Sequence, residues 1–190
     1  DLEVIGQFHG TYIVCQGPHG LIVIDQHAAH ERIVYEQLKS RPGRIDSQRL
    51  LMPETVEVGF VEARILEKLI GHLNDWGLEL EPFGGNTFAV KSEPTLLDDR
   101  NVAQMIIELA ESAADIGLET DLDTVLDKCR MVMACHHSVR ANQRLNDEQI
   151  GHMLTQLDRC DDPSHCPHGR PTWIQWTIKD LERAFKRIVH

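Results

Sequence analysis

Apolar residues recur along this chain at two periods, and the switches between them mark out its elements. Residues 11–16 and 21–24 are short apolar runs rich in β-branched side chains, joined by Gly17-Pro18-His19-Gly20, which predicts a β-hairpin. Asp25 closes the second run and is a good N-cap, so a helix should begin there and continue to about Ser40, where Arg41-Pro42-Gly43 breaks it. Strand-like residues 49–52 and 55–58 lead to a helix over 61–75, with Ile65, Leu66, Leu69, Ile70 and Leu73 at helical spacing and Gly77 at its end. Residues 78–81 and 87–91 flank Gly84-Gly85-Asn86, a hairpin turn and not a phosphate loop, since no helix opens directly after it. Helices are predicted over 98–116 and 122–142, and from the N-cap Asn146 to Asp158. A strand over 172–178, carrying Trp173 and Trp176, precedes a terminal helix whose stripe Leu181, Phe185, Ile188 places Phe185 in the core.

This order of elements predicts an α+β fold with two subdomains. Residues 1–48 and 129–190 form a discontinuous one, and residues 49–128 form an insert between its halves. A chain of 190 residues is long enough to bury a core in one domain or in two small ones. Five cysteines without regular spacing, no signal peptide and no apolar run of membrane length point to a reducing cytoplasm and away from a disulfide framework. Asp1 stands where an initiator methionine would, which reads as a piece of a longer protein. The balance of 19 Lys and Arg against 30 Asp and Glu gives a formal charge of −11, so the domain alone should bind DNA poorly.

Candidate chemistry sits in three separate segments. His27 and Glu31, four residues apart on the first helix, share a face where an imidazole and a carboxylate can meet one divalent cation, and Asp25 stands at the mouth of that face. Glu36 is rotated well away and reads as a group behind the ligands or a surface partner of Arg32, and not as a ligand. Cys166 and His168 form a Cys-x-His pair in a loop stiffened by Pro167 and Pro171, and thiolate with imidazole suits zinc. Cys135 lies on the flank of the helical stripe Val125, Cys129, Val132, Met133, His136, Val139, which leaves its sulfur available. Taken singly, such cysteines are commonly small buried hydrophobes and such histidines satisfied structural residues. In combination they read as a metal site.

These residues carry a family resemblance. Residues 25–36 fit D-Q-H-A-x-x-E-x-x-x-x-E, Ala134-Cys135 resembles the start of an A-C-R motif, residues 166–171 fit C-P-H-G-R-P, and Phe185-Lys186-Arg187 fits F-x-R. The chain is similar to the C-terminal domain of the MutL family of DNA mismatch repair proteins, in its endonuclease-proficient form. It departs from that pattern at His136, which replaces the motif's arginine; Arg140, one turn on, offers a charge instead. The resemblance implies homodimerisation through the discontinuous subdomain and a latent, metal-dependent DNA-nicking activity. On this footing Asp25 and Glu31 are catalytic, with Arg170 or Arg187 to orient a phosphate. His27, Glu31, Cys135, Cys166 and His168 are ligands for a structural zinc and a catalytic manganese or magnesium ion. Gln48-Arg49-Leu50-Leu51-Met52-Pro53 resembles the family's sliding-clamp-binding motif, with Leu50 and Met52 as anchors, Gln48 at the pocket rim and Pro53 closing the motif; the same residues also make an ordinary strand. The implied partners are a second copy, the clamp, a MutS-type mismatch sensor, weakly bound DNA and an N-terminal ATPase domain joined by a linker. A bacterial, cytoplasmic, nucleoid-associated setting follows. The alternative is a catalytically inert, zinc-stabilised dimerisation and clamp-recruitment module. A zinc deaminase fits less well, because the H-x-E and P-C-x-x-C spacings are absent.

Overall fold

Two antiparallel sheets divide the chain into compact units, Asp1–Ile33 with Ser138–His190, and Val34–His137. The computed structural model describes residues 2–40, 45–95, 101–117, 120–137 and 144–187. It is a mixed α and β fold, as the pattern of periods predicts.

The first unit holds a four-stranded sheet of β1 (Glu3–Phe8), β2 (Tyr12–Gly17), β3 (Gly20–Asp25) and β7 (Trp173–Thr177), in the order β1-β2-β3-β7. Its central hairpin pairs in unbroken register from Tyr12 with Asp25 to Gly17 with Gly20. Alternation sends Ile13, Cys15 and Ile24 to one face, where Ile150, Met153 and Leu157 of α5 (Asp147–Asp158) and Ala29 and Ile33 of α1 (Gln26–Ser40) close the core. Asn146 caps α5 by accepting from the Gln149 N–H, while the Gln149 side chain accepts from the Asn146 N–H, a complete capping box. β7 joins the free edge of β3, and Gly20 makes that pairing possible: a Cβ there would lie 2.1 Å from the Trp176 carbonyl oxygen. The helix α6 (Ile178–Ala184) follows β7 directly.

The second unit contains β4 (Ser47–Glu57), β5 (Glu79–Gly84) and β6 (Thr87–Pro94) in the order β4-β6-β5, with α2 (Phe60–Asp75), α3 (Val102–Ile116) and α4 (Leu122–His137). The predicted face of α2 is buried through Ile65, Leu66, Leu69 and Leu73, among Phe88 and Val90 of β6 and Met105, Ile106 and Leu109 of α3. Gly84 and Gly85 adopt φ of 116° and 58° in the β5–β6 turn, as a tight hairpin demands, and the Asn86 side chain donates to the Val58 carbonyl. No helix among the described residues is long and apolar enough to cross a membrane.

Three local expectations change. The opening strand β1 was not evident, because Gly6 and Gln7 interrupt its alternation at a bulge between Val4 and Gly6. The two strand-like runs at 49–58 are one long strand whose register breaks between Arg49 and Glu54. Phe185 is not core: it is 75% exposed just past α6, a helix with no buried residues, so the apolar stripe faces outward. The predicted helix break at 41–43, the residues Val139 and Arg140, and Ile188 lie outside the described residues.

Candidate metal centre

Asp25 ends β3, and its side chain opens α1. The carboxylate Oδ1 accepts from the N–H groups of His27 at 2.9 Å and Ala28 at 3.1 Å, two of the donors a helix leaves unpaired at its start. One turn on, His27 Nε2 stands 3.2 Å from Glu31 Oε1, as the four-residue spacing predicts. The second oxygen, Oε2, faces His168 Nδ1 at 3.4 Å. Glu31 is 2% exposed. A carboxylate so far from water needs partners, and it meets two imidazoles and a thiol.

His168 and the thiol come from a loop folded tightly on itself. His165 and Pro171 form an antiparallel bridge, the Cys166 N–H donates to the Arg170 carbonyl at 2.8 Å, and the Gly169 N–H returns to the Cys166 carbonyl at 2.9 Å. Gly169 has φ of 80°, a conformation that glycine adopts without strain. Fully buried Thr172 closes the loop, its N–H donating to Ser164 at 2.9 Å and its hydroxyl to the Pro163 carbonyl. Its own carbonyl accepts the Asp25 N–H at 2.8 Å, which stitches the loop to the start of α1.

Cys166 is 1% exposed at the centre of this fold. Burial pushes its thiol up from the ordinary value, and the Glu31 carboxylate adds to that, while backbone donors from Arg170 and His168 aimed at the sulfur act in the opposite sense. Glu31, Cys166 and His168 offer one ligand atom each, all within 4.8 Å of one another. Carboxylate, thiolate and imidazole on a stiff, buried scaffold match the donors that zinc takes, so the residues fit such an ion. His27 meets the opposite oxygen of Glu31 and lies outside this three-residue group.

The other candidates are placed as follows. Arg170 is exposed in the ligand loop, and Arg187 is exposed beyond α6 with its N–H on the Glu182 carbonyl at 2.8 Å. Cys135 lies on α4, in the second unit, with its side chain exposed. Its neighbour His136 contacts Glu108 of α3 at 2.8 Å, which gives the residue in the arginine's place a carboxylate partner. Gln48 is paired with Glu93 on β4, and Leu50, Met52 and Pro53 lie at the strand's register break. Gln48 and Pro53 are exposed and Met52 is 80% exposed, while Leu50 packs partly on the core and Leu51 stands fully in solvent. Of the two expectations for Glu36, the surface one fails: Glu36 and Arg32 are each only 9% exposed. Arg32 Nε donates to the His165 carbonyl at 2.6 Å, a contact across 133 residues of chain that no local pattern announces.

The family described as the MutL C terminal dimerisation domain matches residues 5–145. The chain is 42% identical over 188 residues to the DNA mismatch repair protein MutL of Syntrophotalea carbinolica, covering 98% of this chain and 30% of that protein. It is 41% identical to MutL of Exiguobacterium sibiricum, over 98% of this chain and 31% of the relative. It is 35% identical to MutL of Streptococcus uberis, over 99% of this chain and 29% of the relative. The chain thus spans about three tenths of the length of the curated relatives it matches.

Proposed function

The chain belongs to the MutL C-terminal dimerisation domain family, and from that premise we propose that it is a homodimerising module of mismatch repair that carries a latent, metal-dependent DNA-nicking site. The observation that carries this reading is the convergence of Glu31, Cys166 and His168, brought together next to the Asp25 cap. Dimerisation alone would require none of them. A buried thiol-containing set holds a structural zinc, and Asp25 with His27 and Glu31 forms the carboxylate-rich side at which a manganese or magnesium ion would be held. A divalent ion so bound supplies an activated water and neutralises charge on the phosphate. The chain's own part is positional. Asp25 fixes the start of α1, Glu31 links both imidazoles, and exposed Arg170, or Arg187, presents paired donors to a phosphate.

The dimer surface is the outer face of the first sheet. Phe8, Tyr12, Val14, Leu21, Val23, Ile174 and Trp176 share that face by register. Phe8, Tyr12, Ile174 and Trp176 are 58%, 40%, 48% and 46% exposed, an apolar area that a two-fold copy of the same face would cover. Clamp recruitment falls to β4, an edge strand whose four residues 50–53 stand against one residue, Lys91, of β6. This excursion holds Leu51 and Met52 in solvent, ready for a hydrophobic pocket. With a charge of −11 the domain depends on such partners, on a MutS-type sensor and on an ATPase domain of the same protein to meet DNA.

The test is Asp25→Asn in the full-length protein. Asparagine keeps the Oδ1 that caps α1, so folding and dimerisation stay near normal, while manganese-dependent nicking of supercoiled plasmid is lost. Unchanged nicking would remove the catalytic role and leave the inert dimerisation module as the better account.

A further inference from the structure

The structure assigns to Arg32 the task of holding the Cys166–His168 loop against α1 in a metal-ready form, as a positioning residue that ligates nothing itself. Consecutive residues of one helix divide the work. Glu31 turns its carboxylate to Cys166 and His168, and Arg32 sends its Nε to the carbonyl of His165, the residue just before the thiol, at 2.6 Å. His165 is also half of the bridge with Pro171 that closes the loop at its neck. The grip therefore falls where the two loop strands meet. A charged side chain only 9% exposed has given up most of its hydration, and the short hydrogen bond to a carbonyl is the kind of partner that offsets the loss. The charge also reaches the loop's far side: Asp162 is held below the usual carboxylate range first by the Ser164 N–H, then by His165, and also by Arg32.

The loop has a second tether, the Asp25 N–H on the Thr172 carbonyl, but that bond holds its exit. Arg32 holds its entrance. With a hydrogen bond to α1 or its start at each end, the loop that carries Cys166 and His168 is restrained against Glu31. Without Arg32 the entrance keeps its bonds to Thr172 and its bridge to Pro171 but loses its hydrogen bond to α1, so bringing the thiol to the carboxylate costs more ordering entropy when metal arrives. The same ligands should then bind metal more weakly, on the scale of roughly 10- to 100-fold typical for groups that orient ligands.

This inference rests on the metal reading of the site, and the experiment separates the two. Zinc affinity is measured by chelator competition for the 190-residue chain and its Arg32→Met, Arg32→Gln and Arg32→Lys variants. Cobalt(II) spectra report thiolate ligation. Glutamine places an N–H donor the same number of bonds from Cα as arginine Nε and carries no charge; lysine keeps the charge and places its donor one bond further out. The expected result is a thiolate-to-cobalt band in the parent, roughly 10- to 100-fold weaker zinc binding in Arg32→Met, and recovery to within about threefold in Arg32→Gln but not in Arg32→Lys. Equal affinity of parent and Arg32→Met overturns the role, as does an equal loss in the Met and Gln variants. If Arg32→Met does not fold by circular dichroism, the order of Gln above Lys decides, and the reverse order overturns the role. A parent protein with no thiolate band overturns the metal reading itself, and the role of Arg32 with it.

Discussion

The two sheets of this protein treat their exposed apolar residues differently. In the sheet of the second unit, large apolar side chains reach solvent only where pairing is irregular: Leu51 and Met52 at the register break of β4, and Phe83 beside the β5–β6 turn. In the sheet of the first unit Ile5 sits at the β1 bulge, but Tyr12 on β2 and Ile174 and Trp176 on β7 lie on regularly paired strands. Soluble sheets ordinarily cover one face and make the other polar. The second unit buries β6 under its helices, whereas every residue of β7 is exposed. The contrast separates a surface built by continuous pairing, suited to a flat symmetric partner, from isolated protrusions suited to insertion into a pocket.

The strongest way to break this comparison is a charge on the first sheet's outer face. Ile174→Glu should weaken self-association by about 100-fold or more, because each copy would bury an unpaired carboxylate. Thr55→Glu, on an exposed position of β4, should leave it unchanged. Sedimentation velocity reads both, and a dimer that survives Ile174→Glu moves the interface elsewhere. Next in size is Leu69→Ala at a fully enclosed position of the second core, expected to cost about 2–5 kcal/mol in urea unfolding. In the monomeric background, Trp176→Ala should cost roughly 1 kcal/mol or less, since nearly half of that residue is already in water. A large loss there would make Trp176 a core residue of its own unit.

Removing the α5 cap sharpens the picture of how the first sheet's inner face is closed. Asn146→Ala should lower stability by about 1 kcal/mol, and loss of the Gln149 pairing should appear as faster amide exchange in the first turn. The smallest effect belongs to Glu108, held below its ordinary value by hydrogen bonds from Gln104 and His136. Its contribution is present above the ordinary glutamate value and is lost as pH falls through the lowered one. The urea midpoint of the wild type should exceed that of Glu108→Gln slightly near neutrality, by a few tenths of a kcal/mol for so exposed a group, and the gap should close in acid. A gap that widens in acid would reverse the sign of this linkage.

Much of this was legible from periodicity and punctuation. The hairpin through Gly17 to Gly20, the helix opened by Asp25, the buried stripe of α2 and the Asn146 cap all follow from residues within a turn or two of one another. The residues missed depend on contacts far apart in sequence. Arg32 looks like a surface charge on a helix, yet it is buried and bonds a loop distant in sequence. Phe185 looks like core because an apolar stripe marks a buried face without saying whether the cover is the same chain or another. Leu50, read from sequence as an anchor beside Met52, packs partly on the core while Leu51 is exposed, because a register break decides which one leaves the sheet.

Glu31 and His168 are separated by 137 residues, and both β7 and the ligand loop come from the last fifth of the chain. On a ribosome adding roughly 5–20 residues per second, the carboxylate therefore waits about 7–27 seconds for its thiol and imidazole to be made. A transcript cut short, or a product clipped near its end, keeps the whole opening motif and still lacks the chemistry. Synthesis of the loop is in this sense a condition for bringing the carboxylate, thiol and imidazole together.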